Sequence, residues 1–590
     1  MERDINLMPN VKMKHLGARR GSSWSLSASS APRRFSAGFV DSFRRAEPRP
    51  GYLPTDAPER FYDLRAANAK TANTALAREL KGRHLQMIAF GGAIGTGLFV
   101  ASGGSLYRGG PASVLISYFL LGAMQYCTMQ SLGELCVLFP IAGSFSAFST
   151  RFLDPSWGFA MGWNYCLQWL FILPLEIIAG AFTISYWDEE TSKSIFIAIF
   201  LLSIVVINLF GVKAYGEAEF VFSFIKVTAV VGFILFAIII NIGGEPESGY
   251  IGGTYWRNPG PFNNGFKGFC SVLVTSAFSF TGTELIGLAA AETATPRKSL
   301  PAAIKQVFWR ITIFYIVSLL LVGLLVPSDD SRLVGGDNVA DATASPFVIA
   351  IEKAGTETLP SIMNAIILVA VISVGNSAVF GSSRTLAALA EQSHAPQIFA
   401  YVDRQGRPLM AILLAACVGL LAFLADMSYH DAVFEWLLSI SALSTLFTWA
   451  SICLCYDRFR KAWAYNAYTL DQLPFRSHVG VTGARFAFVG YVLVLLSQLW
   501  IAVSPVPEPG LDTSPRGRVR NFFLDVMAIP IIFLFYICHK IWYRTKIVRL
   551  DEMDIETGRR YFRLHIMSEQ EREERLSWPR WKKIYRFLCY

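Results

Sequence analysis

Charged residues are scarce in this chain: Asp, Glu, Lys and Arg make up 16% of its 590 residues, while hydrophobic residues make up 53%. That balance excludes a soluble multidomain protein and describes a chain dissolved mostly in lipid. Cysteine offers no framework either. The nine cysteines show no paired spacing, and most, such as Cys127, Cys166, Cys417, Cys453 and Cys538, fall inside apolar runs, so neither a disulfide scaffold nor a metal site is expected. At membrane depth there is no paired His, no Cys/His pair and no metal-ligand spacing, which argues against an acyltransferase or an intramembrane hydrolase and calls for no cofactor. No apolar segment follows the first residues, so the start does not read as a cleavable signal peptide.

What the chain has is apolar length. Runs of roughly 20 or more apolar residues, enough to cross a ~30 Å hydrocarbon core, recur near 85–106, 111–139, 157–187, 194–212, 219–242, 266–291, 304–326, 359–389, 408–427, 432–455, 484–504 and 522–543. Twelve spans are expected from them. The preceding stretch differs in kind: residues 1–84 carry 16 Lys/Arg against 8 Asp/Glu, with sparse aromatics, and read as a disordered basic tail. Attraction to an anionic cytoplasmic leaflet explains its charge, and no nucleic-acid partner is needed. With that tail inside, Arg151, Lys213, Arg297, Lys298, Arg384, Arg404, Arg407, Arg458, Arg460, Lys461 and Arg476 fall on the cytoplasmic side. The opposite loops hold Asp188, Glu189, Glu190, Glu245, Glu247, Asp329, Asp330, Asp337, Asp341 and Asp431. Both termini are therefore expected in the cytoplasm, although Arg516, Arg518 and Arg520 run against the pattern.

Two spans are interrupted. The first contains Gly91-Gly92-Ala93-Ile94-Gly95-Thr96-Gly97, and the sixth contains Phe278-Ser279-Phe280-Thr281-Gly282-Thr283-Glu284. Backbone polar groups cannot face lipid, so a broken helix is tolerated only where it lines a cavity or binds something. The alternative for the glycines is a close helix crossing. Breaks at corresponding positions of two five-helix halves are the signature of an inverted-repeat transporter with its site near the midplane. The half-helix after Gly95 begins with free amides and a partial positive charge, which suit a carboxylate. Carbonyls ending the half-helices near Ala93 and Phe280 suit an ammonium. A molecule with both groups on one carbon satisfies both, which makes an amino acid the natural inference and leaves other zwitterions open.

Charges within spans are functional hypotheses. Glu176 lies beside Pro174, which should bend its helix and free a carbonyl, and Glu284 closes the sixth-span break. Glu134, before Pro140, reads as interfacial, and His84 and His394 as solvated residues flanking spans. Lys226 has two readings, snorkelling to the inner interface or setting its ammonium against the unwound carbonyls of the first span in place of a metal cation.

The run Leu80-Lys81-Gly82-Arg83-His84-Leu85-Gln86-Met87-Ile88-Ala89, leading into Gly91 to Phe99, resembles the opening signature of the fungal amino acid permeases, within the amino acid–polyamine–organocation superfamily. The resemblance continues through Gly109-Gly110-Pro111, Ser131-Leu132-Gly133-Glu134, Phe278 to Glu284, Ala289-Ala290-Ala291-Glu292, Gly381-Ser382-Ser383-Arg384 and Leu473-Pro474-Phe475-Arg476, and covers roughly 80–545. It implies an all-α polytopic membrane protein with a 5+5 inverted-repeat, LeuT-like core whose helices 1 and 6 are discontinuous. The organisation that follows is a cytoplasmic tail over 1–84 and a transporter domain over 85–543. That domain divides into repeats of about 85–242 and 266–455 and two further helices over about 484–543, before a cytoplasmic tail over 544–590. The implied function is proton-coupled symport of amino acids into the cell at the plasma membrane.

By the same resemblance, Ile94, Gly95 and Thr96 offer amides to the substrate carboxylate, and Phe278, Ser279 and Phe280 lie around its ammonium, Phe278 as an aromatic gate, with Gly97 and Thr281 also in the substrate-binding set. Glu176 and Glu284 match the family's buried acids, and Lys226 matches a lysine standing in for sodium. These three are the coupling candidates. Gln168, Ile172 and Ser441 fall at positions that govern side-chain selectivity, and since none is charged, a broad or neutral range is implied. Cys589, in a basic aromatic tail, is a candidate for palmitoylation, though Leu588 stands where an aromatic residue is usual. The tails are candidate contacts for ubiquitin-ligase adaptors. A rival function is an amino acid sensor that keeps the site and loses or slows the transport cycle.

Overall fold

The computed structural model describes residues 41–46, 62–92, 94–188, 190–243, 249–334, 345–426, 430–507, 514–560 and 579; side chains of 90–91, 425–436 and 438–440 lie outside that description. Residues 1–44 and 45–590 form two separate units. Of the first, the described part is a turn closed by the Arg44 amide on the Asp41 carbonyl at 3.2 Å.

Twelve helical segments dominate the described part of the second unit, six of them long and apolar enough to cross a membrane and a seventh if the last, bent pair counts as one span. The first is the half-helix Gly82–Gly91 followed, after a gap, by Thr96–Phe99. It continues into the helix Ala101–Leu138, where Gly110, at φ 79°, ends the first span and begins the second. Pro111 has no amide to continue the ladder. The outer joint is instead closed by a loop, with the Ala112 amide on the Pro261 carbonyl and the Asn263 amide on the Gly109 carbonyl, both at 2.9 Å. The third to fifth spans are Pro155–Ile184, Lys193–Leu209 and Val212–Asn241. The sixth is Gly265–Ser279 and Leu285–Ala289 around a second gap. The seventh and eighth are Pro296–Leu325 and Leu359–Glu391. Leu409–Gly419, His430–Tyr465 and Gly480–Val503 follow, and the twelfth is Pro515–Val526 with Ala528–Tyr543, bent by 57°. The protein is an all-α polytopic membrane protein, and helices 1 and 6 are discontinuous.

The order of burial explains the bundle. The third span is buried nearly all round and forms its axis. The fourth, fifth and eleventh present Leu202, Phe224, Leu235, Ile239 and Leu493 outward, a face that acyl chains solvate and water would not. Packing partners also exchange between halves. The third span packs on the eighth; the first packs on the fifth and seventh as the sixth packs on the tenth and second; the third packs on the tenth and ninth as the eighth packs on the fifth and fourth. Exchanging each helix with its counterpart five later leaves this pattern unchanged, as two structural repeats require.

The structure departs from the sequence expectation at its edges. A helix Leu64–Ala72, capped by Asp63, and the buried Leu76 and Leu80 lie inside the stretch expected to be a tail. Past residue 543, the Val548 amide reaches the Leu153 carbonyl at 2.9 Å and Met553 and Ile555 are buried. Cys589 lies outside the described residues. Glu134 is fully buried, accepting from Tyr456 Oη at 3.0 Å and the Ser477 amide at 2.8 Å, and so is not interfacial. Neither flanking histidine is solvated. His84 is fully buried, 3.1 Å from Glu217, and His394 stacks on Tyr62 at 4.7 Å between centroids. Burial, reinforced by nearby His539, holds the His394 imidazole well below its usual range. Pro174 interrupts nothing visible: its helix runs unbroken through residue 184, with only the amide at 174 missing from the ladder.

Candidate functional site

The two gaps face one another across the third and eighth spans. Between them lies a cavity of about 20 Å³, room for about one water, lined by Gly95, Thr96, Gly97, Trp169, Ile172, Glu176, Phe278, Thr281 and Val374. An amino acid is several times larger than this space.

At the first gap glycine is required for space. Gly95, at φ −150°, makes no left-handed turn, but a Cβ there would come within 2.6 Å of Val374 Cγ2. At Gly97 a Cβ would come within 2.6 Å of the Ser279 Cα, so this glycine serves the close crossing of the first and sixth spans. The crossing reading therefore holds at Gly97, and both glycines line the cavity. Thr96 Oγ1 donates to Glu176 Oε1 at 2.8 Å, and Glu176 Oε2 is buried with no hydrogen-bond partner among the described residues. Leaving one carboxylate oxygen without a donor is costly, and this oxygen belongs to a side chain that lines the cavity.

Lys226 does not snorkel. Its side chain is fully buried, and Nζ donates to the Ile94 carbonyl at 3.2 Å and to Ser373 Oγ at 2.9 Å. A carbonyl freed by the break thus meets an ammonium carried by the fifth span, the arrangement a bound cation would otherwise supply.

The second gap is satisfied largely from within. Phe280 and Thr281 amides donate to the Ala277 and Phe278 carbonyls at 3.0 Å each, and Thr283 Oγ1 donates to the Phe280 carbonyl at 2.7 Å. Tyr315 Oη donates to the Ser279 carbonyl at 2.8 Å. Gly282, at φ 94°, makes the left-handed turn that lets its amide reach Glu284 Oε1 at 3.3 Å. Tyr165 Oη (3.1 Å) and Trp449 Nε1 (3.0 Å) complete the donors around Glu284, which does not line the cavity.

Of the residues singled out from sequence, Gly95, Thr96, Gly97, Ile172, Glu176, Phe278 and Thr281 meet at the cavity. Ile94 contributes its carbonyl to Lys226. Ser279 Oγ instead donates to the Gly97 carbonyl at 2.7 Å, and Phe280 packs away from the cavity on Tyr315, at 4.5 Å between centroids. Gln168 Nε2 donates to Thr445 Oγ1 at 2.7 Å, and Thr445 pairs with the cavity-lining Thr281 at 3.1 Å. Ser441 Oγ is spent on its own helix, donating to the Leu437 carbonyl at 2.7 Å.

Sequence reasoning missed Trp169, Val374 and Thr445, which carry no charge or break to mark them. It also missed two buried charges. Arg310, fully buried in the seventh span, donates to the Ala89 carbonyl at the end of the first half-helix and to Thr283 in the second gap, tying the two breaks together. Glu219, fully buried in the fifth span, accepts from Ser373 Oγ at 2.8 Å and Asn376 Nδ2 at 2.9 Å. Their signal was the interior position of each once its helix is drawn to full length.

Leu80 pairs with the segment after the sixth span (its amide on the Glu292 carbonyl at 3.0 Å, the Ala294 amide on its own carbonyl at 3.1 Å), and Arg384 lies 3.4 Å from Glu292. Among the described residues no cluster of His, Cys, Asp and Glu could hold a metal ion.

The model of the family described as "Amino acid permease" matches residues 84–552. The general amino-acid permease GAP2 of Candida albicans is 51% identical, with 95% of this chain and 94% of that protein covered. The general amino-acid permease GAP1 of Saccharomyces cerevisiae is 49% identical over 93% of this chain and 91% of its own length. The cationic amino acid transporter 1 of Schizosaccharomyces pombe is 45% identical over 90% and 89%.

Proposed function

This chain belongs to the amino acid permease family and moves amino acids across a membrane, and on that premise we propose that it is a proton symporter importing a broad or neutral range of amino acids at the plasma membrane, with both termini in the cytoplasm. The observation that carries the reading is the unpartnered Glu176 oxygen on a side chain lining a cavity whose opposite walls are two broken helices. The substrate carboxylate takes the amides at Gly95 to Gly97, where the helix dipole is positive. Its ammonium takes Glu176 Oε2, because the sixth-span carbonyls already have donors.

The uncharged side walls, Ile172, Trp169, Phe278 and Thr281, support the neutral range. Relatives named as general permeases and one named as a cationic transporter have similar identities to this chain, so a relative's name does not choose between them. Coupling rests on Lys226: protonated, it holds the Ile94 carbonyl; neutral, it releases it, and the first span is free to move. Regulation through ubiquitin-ligase adaptors at the tails completes the reading.

The test is uptake of a panel of labelled amino acids by a transport-deficient host. With a proton coupled, the membrane potential contributes ~2.3 kcal/mol per charge per 100 mV, so accumulation collapses with a protonophore and is indifferent to removal of Na⁺. Accumulation that depends on Na⁺ and survives the protonophore contradicts the coupling. Ligand-dependent signalling without uptake would favour the sensor.

A further inference from the structure

Glu219 and Lys226 lie seven residues, two turns, apart on one face of the same helix, roughly 10 Å along its axis. Neither is exposed, and one hydroxyl, from Ser373 on the eighth span, stands between them. Ser373 Oγ accepts from Lys226 Nζ at 2.9 Å and donates its own proton to Glu219 Oε2 at 2.8 Å. The other oxygen, Oε1, accepts from Asn376 Nδ2 at 2.9 Å, and Asn376 Oδ1 in turn accepts from Asn208 Nδ2 at 2.9 Å. The side-chain donors around this carboxylate, Ser373, Asn376 and Ser377 of the eighth span, are neutral. A neutral side chain of the same shape would serve the packing with less desolvation, because burying a carboxylate costs several kcal/mol more than burying an amide. A hydroxyl that accepts from an ammonium and donates to a carboxylate is already oriented for relay.

We propose that Glu219 receives the proton that Lys226 gives up during transport. The ammonium passes one proton to the Ser373 oxygen while the Ser373 hydroxyl proton passes to the Glu219 carboxylate. An ammonium and a carboxylate become an amine and a carboxylic acid, Ser373 ends as it began, and no other reactant is needed. The Ile94 carbonyl loses its cation in that step, so the first-span break is released when the proton has left. Glu219 lies toward the end of the fifth span that begins at Val212, the cytoplasmic end in the proposed orientation, so the relay runs in the direction of import.

This inference rests on the proton-symport reading, and the test separates the two. The full chain is reconstituted in liposomes with an internal pH dye, an inward proton gradient is imposed, and labelled L-leucine is followed. The parent should accumulate leucine and acidify the interior; failure of the parent to do so overturns the symport reading, and the relay with it. In Glu219→Gln, leucine exchange should persist with KM within about three-fold of the parent, since the chemistry lost is not substrate binding. Accumulation should fall to an inside-to-outside ratio near one, without acidification, and Glu219→Asp should recover part of it. Parental accumulation by Glu219→Gln, or loss of exchange along with accumulation in a folded Glu219→Gln protein, would contradict the relay.

Discussion

The two broken helices differ in who satisfies them. The sixth-span gap uses its own residues and close neighbours: Thr283 on the Phe280 carbonyl, Gly282 on Glu284, and Tyr315, Tyr165 and Trp449 from adjoining helices. The first-span gap is met by Lys226 from the fifth span, and its hydroxyl neighbour Thr96 is used on Glu176. A break held by fixed neutral donors keeps its shape. One whose freed Ile94 carbonyl is met by a titratable lysine changes when that lysine loses its proton. On the proposed coupling the first break is the moving part and the sixth the fixed wall, with Arg310 tied to both.

Variants can break this contrast. The largest effect is expected for Gly95→Val, which drives side-chain atoms into Val374 Cγ2, already 2.6 Å from an ideal Cβ. Uptake should fall to background with the protein still at the cell surface by labelling, and Val374→Ala should restore part of the uptake lost in Gly95→Ala. Normal uptake by Gly95→Val would return the first break to a simple helix crossing.

Glu176→Gln comes next. It keeps a partner for Thr96 but replaces the charged acceptor proposed for the ammonium. Since hydrogen bonds to charged groups contribute about 1.5–3 kcal/mol, KM should rise roughly ten- to a hundred-fold. An unchanged KM would move the ammonium to the sixth-span carbonyls.

Glu284→Gln sharpens the other side. Its carboxylate holds the fixed wall, so the loss of charged acceptors for Tyr165 and Trp449 should appear as about 1–3 kcal/mol of stability, read as a lower melting temperature in detergent, with KM within about two-fold. A large KM change without loss of stability would place Glu284 at the substrate. The smallest effect belongs to Ser441→Ala, a change expected to stay within about 0.5 kcal/mol and to leave the amino acid preference intact. Thr445→Ala should shift that preference, because Thr445 pairs with Thr281 in the cavity wall. Competition of unlabelled amino acids against labelled leucine reads both.

The spans and both gaps were legible because hydropathy and glycine report on the same thing, the cost of bare backbone in lipid. The buried charges at 219 and 310 were not, for a related reason. A charge lowers the local hydropathy, so the expected spans retreat toward it: one was drawn to begin at residue 219 and another at 304, whereas the helices begin at Val212 and Pro296. Extending each by two turns moves Glu219 and Arg310 from the edge to the interior. Trp169 and Val374 look like any apolar residue on a buried helix, and only the packing of the third and eighth spans against the gaps gives them a role. Ser441 was one turn away from Thr445, a distance that matching by family position does not resolve.

The contrast between a movable and a fixed break is tested most directly by Lys226→Met in reconstituted protein, comparing leucine accumulation under an inward proton gradient with leucine exchange at equal pH. Methionine keeps the apolar stem and removes the cation. Expected is exchange retained and accumulation lost, with the inside-to-outside ratio near one. Proton-driven accumulation equal to that of the parent would contradict a coupling role for the Lys226 contact with Ile94.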